Sequence, residues 1–214
     1  MAHATIVEND VRTAGVTYFD PEDYVVHLIK RAVTHGQDAT ISAAGLGEVI
    51  ILSDRGEYFP AVPSMVEFCT APASRFNVNL LKPGSLPPAA ANGHGRNVDE
   101  LMWQAAFYAS NGRLMTGCYR DDVVELDHWP NLSRLPLTPN AVRIAALLTR
   151  HPTSITLAGR LLKVEREELY QFYSAARCAG IARAINRKEE APPPLPPHRN
   201  QTLLSSLLSK IAGL

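Results

Sequence analysis

The sequence predicts an α+β fold: a small helix-plus-β-meander domain, then a helical module, then a C-terminal helix on a proline-rich tether. Three observations indicate this: helical apolar spacing over residues 20–36, three short apolar runs with glycine turns over 39–62, and helical spacing again from residue 138. The chain has 214 residues, 46% of them hydrophobic and 20% charged. This composition excludes a wholly disordered chain, and a core of this size needs no disulfide or metal.

The N-terminal domain, residues 1–136, is predicted to begin with one helix and three strands. Asp20-Pro21 provides a cap and a first-turn proline, and Gly36 suits a helix end, so the first helix is placed between them. The strands are the short apolar runs between the turns, and consecutive short strands with glycine turns predict a β-meander. They comprise residues 39–43, 48–53 and 57–62.

The second half of this domain is predicted to contain a strand, a long loop and a helix. Residues 75–81 alternate as a strand does. Residues 82–97 are crowded with Pro, Gly and Ala and lack apolar periodicity, which predicts a flexible surface loop. The next helix is expected from Asn97 to Gly112, and one further strand over residues 123–126.

A short connector between the domains is rich in large apolar residues. Its sequence from residue 126 is LDHWPNLSRL. We expect Trp129, Leu132 and Leu135 to form the interface that holds the two domains together. Because aromatic side chains at domain interfaces also contact ligands, a binding pocket there is the alternative.

The module over residues 137–188 is predicted to contain three helices. These are residues 139–150, 154–162 and 165–179, with a tight turn at Lys163-Val164 and Gly180 closing the last helix. The small residues Ala158 and Gly159 allow two helices to approach closely, as a helix-turn-helix requires. The segment from about 141 to 185 therefore resembles the winged-helix superfamily.

That resemblance implies DNA binding as an alternative function. The net charge of the C-terminal part favours it, and the carboxylates at the start of the third helix oppose it. Residues 1–138 contain 10 Lys/Arg and 16 Asp/Glu, whereas residues 139–214 contain 11 and 5. Arg160, Arg166 and Arg177 are the residues we expect to contact phosphates in this alternative. The start of the third helix reads Glu165-Arg166-Glu167-Glu168, and its carboxylates would repel the DNA backbone.

The N-terminal meander is similar to the small helix-plus-hairpin domains of bacterial signalling adaptors that carry a winged helix behind them. The turn Asp54-Arg55-Gly56-Glu57 carries this similarity. It implies a bacterial regulatory protein, but no ligand or activity.

The C-terminal tail combines a stiff spacer with an amphipathic segment. Residues 189–200, EEAPPPLPPHRN, predict an extended Pro-rich linker. Residues 201–214 predict a helix that is too short to be stable in isolation, so it needs a surface to bind. Its apolar stripe, which we expect to dock into a groove of a partner protein, consists of Leu203, Leu204, Leu207, Leu208 and Ile211.

No motif in the sequence indicates catalysis. No Gly-x-Ser-x-Gly elbow or phosphate-binding loop is present, and the histidines and cysteines lack metal-ligand spacing, so we expect no catalytic residues, no metal and no cofactor. Three cysteines are an odd number and predict reduced thiols in a cytoplasmic protein. The acidic residues over 121–127 are expected on a solvated surface.

The sequence thus favours a non-catalytic regulatory or adaptor protein that binds another protein through residues 201–214. A homodimer remains an alternative, and binding to nucleic acid is less favoured. Binding to a membrane is the least favoured, because the tail helix has Lys210 as its one cation. The alternative functions are a winged-helix transcriptional regulator and, third, an enzyme or small-ligand sensor with a site at the domain interface.

Overall fold

The computed structural model describes residues 15–82, 87–91 and 93–186, and its mixture of helices and strands confirms the α+β class. The described helices are α1 (Val25–Thr34), α2 (Met65–Thr70), α3 (Pro88–Ala91), α4 (Val98–Ser110), α5 (Ala141–Arg150), α6 (Ile155–Leu162) and α7 (Arg166–Cys178). The described strands are β1 (Tyr18–Phe19), β2 (Ala39–Ala43), β3 (Gly47–Leu52), β4 (Glu57–Ala61), β5 (Asn77–Leu80), β6 (Arg96–Asn97), β7 (Leu114–Met115), β8 (Val123–Leu126), β9 (Thr153–Ser154) and β10 (Ala182–Ala184).

The predicted meander is present as the centre of an antiparallel five-stranded sheet. Its strand order is β5-β2-β3-β4-β6. Ile41 on β2 pairs with Val49 on β3, and both side chains are fully buried. Gly47 has a φ of +90°, and a Cβ there would lie 2.3 Å from the carbonyl oxygen of Ala61, so this position requires glycine. The close approach of β4 to the start of β3 depends on this glycine.

The first helix begins later than the sequence predicts. Asp20 does accept a hydrogen bond from the Glu22 amide at 2.9 Å, but the turn that it caps is a 3₁₀ turn, Pro21–Asp23. Tyr24 then adopts an extended conformation, and α1 starts only at Val25. The short helix α2, capped by Ser64, was not predicted at all.

The segment predicted as a flexible loop, residues 82–97, contains α3 and β6 in its described part. Ala90 is only 2% exposed and packs with Ile50 and Leu52 on the face of the sheet opposite the main core. A Cβ on Gly95 would lie 2.7 Å from the Cβ of Glu57. The segment therefore covers the second face of the sheet. Its run of alanines is too short to show a helical period, so the sequence did not predict this packing.

Helix α4 is the central helix of the molecule. Eleven of its thirteen residues are buried, as expected for a helix with neighbours on all sides. The Asn97 side chain caps it by accepting a hydrogen bond from the Asp99 amide at 2.7 Å. The Trp103 ring on α4 meets Phe172 on α7 edge to face, with 5.3 Å between ring centroids.

The three predicted C-terminal helices are α5, α6 and α7, and a three-stranded sheet of order β10-β8-β9 packs beside them. Ser154 caps α6, and Lys163 forms the tight turn after it with a φ of +53°. The central strand of this sheet, β8, precedes all three helices, and Leu126 pairs with Ala182. Buried side chains on both sides of residue 137 belong to one hydrophobic cluster. The predicted linker and tail helix lie outside the described residues.

Among the described helices, none has the length and apolar character needed to cross a bilayer.

Candidate interaction surface

The helix that would read DNA in a winged-helix protein, α7, is largely buried by α4 and β7. Tyr170 is 5% exposed and Ser174 fully buried. The Ser174 hydroxyl accepts a hydrogen bond from the Met115 amide at 3.0 Å. The Gln171 side-chain amide donates to the Phe107 carbonyl on α4 at 2.9 Å. Positions 170, 171 and 174 are therefore occupied by contacts within the chain.

The three arginines predicted to contact phosphates lie on different parts of the module. Arg160 is exposed on α6, and Arg166 is exposed at the start of α7 beside Glu167. Arg177 lies in the last turn of α7, about 16 Å further along the axis. It is partly buried, and its guanidinium donates to the Ala182 carbonyl at 3.3 Å. Arg166 and Arg177 therefore occupy opposite ends of the helix.

The acidic residues before and within β8 divide between solvent and core. Asp121 is exposed, as predicted, but Asp122 is only 2% exposed, which corrects the expectation of a wholly solvated cluster. The Tyr173 hydroxyl and the Tyr119 amide each donate to Asp122 Oδ2 at 2.8 Å. Burial, and next the Asp122 charge, raise the pKa of the adjacent Cys118 thiol to about 12. This polar cluster fixes α7 to the turn before β8.

The connector residues predicted to form the domain interface differ in burial. Leu132 and Leu135 are partly buried against the core, whereas Trp129 is 48% exposed. The indole N–H that anchors the connector belongs instead to Trp103, which donates to the Pro136 carbonyl at 3.2 Å. No local pattern predicts this bond, because Trp103 and Pro136 are far apart along the chain.

Beside Trp129 lies a cleft of about 160 Å³ at the start of α4. Glu100 lies in its wall and forms ion pairs with Arg96 at 3.1 Å and with Arg134 at 3.7 Å. Desolvation by burial raises the pKa of Asp99, and His128 partly opposes this. The lining residues are Asn97, Asp99, Glu100, His128, Trp129, Asn131, Leu135 and Ile181. The cleft offers one aromatic face and carboxylate and amide groups, but no paired nucleophile and base.

Helix α6 has an apolar outward face that nothing in the described structure covers. Leu157 and Leu161 are 47% and 59% exposed, whereas Ile155 and Ala158 on the opposite face are buried. Residues four apart are neighbours on a helix surface, so the two leucines are adjacent, with Arg160 beside them. No sequence signal marked this face, because leucines in a short amphipathic helix are ordinarily counted as core.

The remaining predicted site residues, the tail leucines Leu203, Leu204, Leu207 and Leu208 with Ile211, lie outside the described part of the chain.

Within residues 15–82, 87–91 and 93–186, no three His, Cys, Asp or Glu side chains are grouped as a metal ion would require.

No family model, curated protein or solved structure matches this chain.

Proposed function

We propose that this chain is a non-catalytic regulatory or adaptor protein that acts through protein–protein interaction. The observation that carries the proposal is the distribution of exposed apolar side chains. Of the eight large hydrophobic residues that are exposed in the described part, six fall between residues 129 and 185. They are Trp129, Leu137, Val142, Leu157, Leu161 and Ile185. Two of them, Leu157 and Leu161, are neighbours on α6, and adjacent exposed apolar side chains are typical of an interaction site.

The C-terminal unit, about residues 141–185, is proposed to be a winged-helix-like scaffold. The order α5, α6, α7 and β10, the turn at Lys163 and the left-handed Gly180 support this assignment. It departs from the usual pattern in one respect: the strand beside β10 is β8, from before the helices. A winged-helix fold does not by itself imply DNA binding, since function depends on the exposed site.

The contacts of α7 disfavour the nucleic-acid alternative. A recognition helix must present one face to the major groove, but no residue of α7 beyond Glu167 is exposed, and Gln171 and Ser174 bond to α4 and β7. Entering a groove would require separating these buried elements. Glu167 and Glu168 beside Arg166 add repulsion from phosphate.

The tail, residues 201–214, is proposed to supply a second contact with the partner protein. Asn186, the last described residue, is held beside β8 by its side chain, which accepts from the Val123 amide at 2.9 Å and donates to the Asp121 carbonyl at 3.0 Å. The described structure therefore ends at a fixed point. Fourteen residues, the number from 187 to 200, span about 43 Å as a polyproline II helix.

The test is affinity capture from cytoplasmic extract with the full chain and with a chain ending at residue 188. We expect both proteins to melt at the same temperature, and only the full chain to retain specific partner proteins. Equal retention by both would refute the role of the tail. Retention on duplex DNA at low salt that disappears in Arg166→Ala would support the regulator alternative instead.

A further inference from the structure

The outward face of α6 combines two exposed leucines with exposed cations. Leu157 and Leu161 are 47% and 59% exposed, Arg160 is exposed one turn after Leu157, and Lys163 is exposed in the turn that ends the helix. Neither cation forms a hydrogen bond or ion pair with another residue of the described structure. We call Leu157, Arg160, Leu161 and Lys163 the α6 face.

The two helices α5 and α6 are basic in sequence, whereas the acidic residues near them belong to other segments: Asp121, which accepts a hydrogen bond from Thr156, and Glu165, after the turn at Lys163. Residues 141–163, which comprise α5, β9 and α6, contain four Lys/Arg and no Asp or Glu. One of the four, Arg143, joins the two helices: its guanidinium donates to Asn140 Oδ1 and to the Leu162 carbonyl, both at 2.8 Å. The helix pair is therefore held rigidly, and its other cations remain available to a partner.

An isologous contact between two copies does not fit this face. In a two-fold symmetric interface the same patch meets itself, so the cations of both copies would be brought together, and the α6 face has no carboxylate to pair with them. Like charges at such an interface cost free energy.

The chain's own tail fits the apolar part of the face but not its charge. Residues 201–214 contain no carboxylate side chain and one lysine. Docking them on α6 would cover the leucines and leave the cations without partners.

We propose that the α6 face binds an acidic amphipathic helix of the partner protein. Apolar side chains of that helix, at i and i+3 or i+4 spacing, pack over Leu157 and Leu161, and flanking carboxylates pair with Arg160 and Lys163. The inference rests on the proposed function, because it names the chemistry of the partner. It makes the α6 face a site separate from the tail.

The first experiment locates the occupant by photo-crosslinking with the full chain. The photo-reactive residue p-benzoylphenylalanine replaces Leu161, and in a matched control it replaces Leu80, which is also 59% exposed but lies on the edge strand β5. Mass spectrometry identifies the crosslinked segment. We expect an acidic amphipathic segment of another protein from position 161 and not from position 80. A crosslink to residues 201–214, to a second copy or to lipid, or no crosslink at position 161, would overturn the proposal.

The second experiment measures recognition by fluorescence anisotropy with a labelled synthetic peptide of the crosslinked segment. Arg160→Glu and Leu161→Ser are each expected to weaken binding about tenfold. The controls Arg31→Glu and Leu80→Ser, at exposed positions on α1 and β5, are expected to bind as the unaltered chain does. A peptide with its carboxylates changed to amides is also expected to bind about tenfold more weakly. Equal binding by Arg160→Glu and the unaltered chain would overturn the charge pairing.

The two proposals fail separately. If tail-dependent capture persists while position 161 gives no crosslink, the adaptor function stands and the α6 site is wrong. If neither capture nor crosslinking occurs, the adaptor function fails as well.

Discussion

The substitution Ser174→Ala tests whether α7 is locked against the rest of the molecule. Ser174 is fully buried, and its hydroxyl accepts the Met115 amide at 3.0 Å. Met115 lies on β7, where the neighbouring amides of Leu114 and Thr116 bond to the carbonyls of Thr17 and Phe19 instead. Among the described residues, Ser174 is thus the partner of the Met115 amide.

Removing the hydroxyl leaves a buried amide without a partner. The cost of such a group is about 1–3 kcal/mol, and we expect the free energy of unfolding to fall by that amount. With a urea slope of about 2 kcal/mol per M, the unfolding midpoint falls by roughly 0.5–1.5 M. Urea titration followed by circular dichroism and by tryptophan fluorescence measures the shift.

A surface serine provides the matched control. Ser133 donates to Asn131 Oδ1 at 2.8 Å, but both residues are exposed. Ser133→Ala is expected to change the free energy of unfolding by less than about 0.5 kcal/mol. If Ser174→Ala is as mild as this control, Ser174 does not fasten α7 to β7.

Three further predictions concern backbone strain, close packing and thiol ionisation. Lys163 has a φ of +53°, so Lys163→Gly should relieve left-handed backbone strain and stabilise the fold by about 1 kcal/mol, measured as a higher melting temperature. A lower melting temperature would show that contacts of the lysine side chain outweigh this strain. Gly95→Ala should lower the free energy of unfolding by about 1–3 kcal/mol, because its Cβ would clash with Glu57. The control Gly93→Ala places its Cβ in open space, and equal denaturation midpoints of the two variants would contradict the packing of this segment on the sheet. Burial raises the pKa of the Cys69 and Cys118 thiols to about 12 and also shields them from reagents, so at pH 8 their alkylation should be at least about 100-fold slower in the native protein than in urea. Comparable rates would contradict the burial of these thiols. These thiols ionise at lower pH in the unfolded chain than in the folded protein, so the free energy of unfolding should fall as the pH rises above about 9. Urea titrations at several alkaline pH values measure this, and a free energy of unfolding that does not change with pH there would contradict the prediction.

Local patterns account for the elements that the sequence predicted well. The strand Val123–Leu126 has the predicted bounds, and α6 follows the Ser154 cap as expected. Capping, turn glycines and apolar period act within a few residues, so one sequence contains them in full. The same is true of the turn at Lys163. By contrast, α2 has only six residues, which is too short to produce a period, and it was missed.

The candidate site depended on packing between distant elements. Sequence reasoning placed Trp129 at an interface, and its ring is 48% exposed beside a cleft. It made no prediction about Leu157 and Leu161, and both are exposed. Whether an apolar side chain is covered depends on which elements lie opposite it, and spacing along one helix does not contain that information.

The sequence by itself determined the α+β class, the meander, the three C-terminal helices and the charge difference between the two parts of the chain. Each of these follows from composition or from interactions between residues close in sequence. Only the tertiary structure decided that β8 pairs with β10, that Asp122 is buried against Tyr173, and that α4 packs along α7 through Trp103 and Phe172. These arrangements join residues 50 or more positions apart, and they are selected by the packing of whole elements around one core, which no local pattern records.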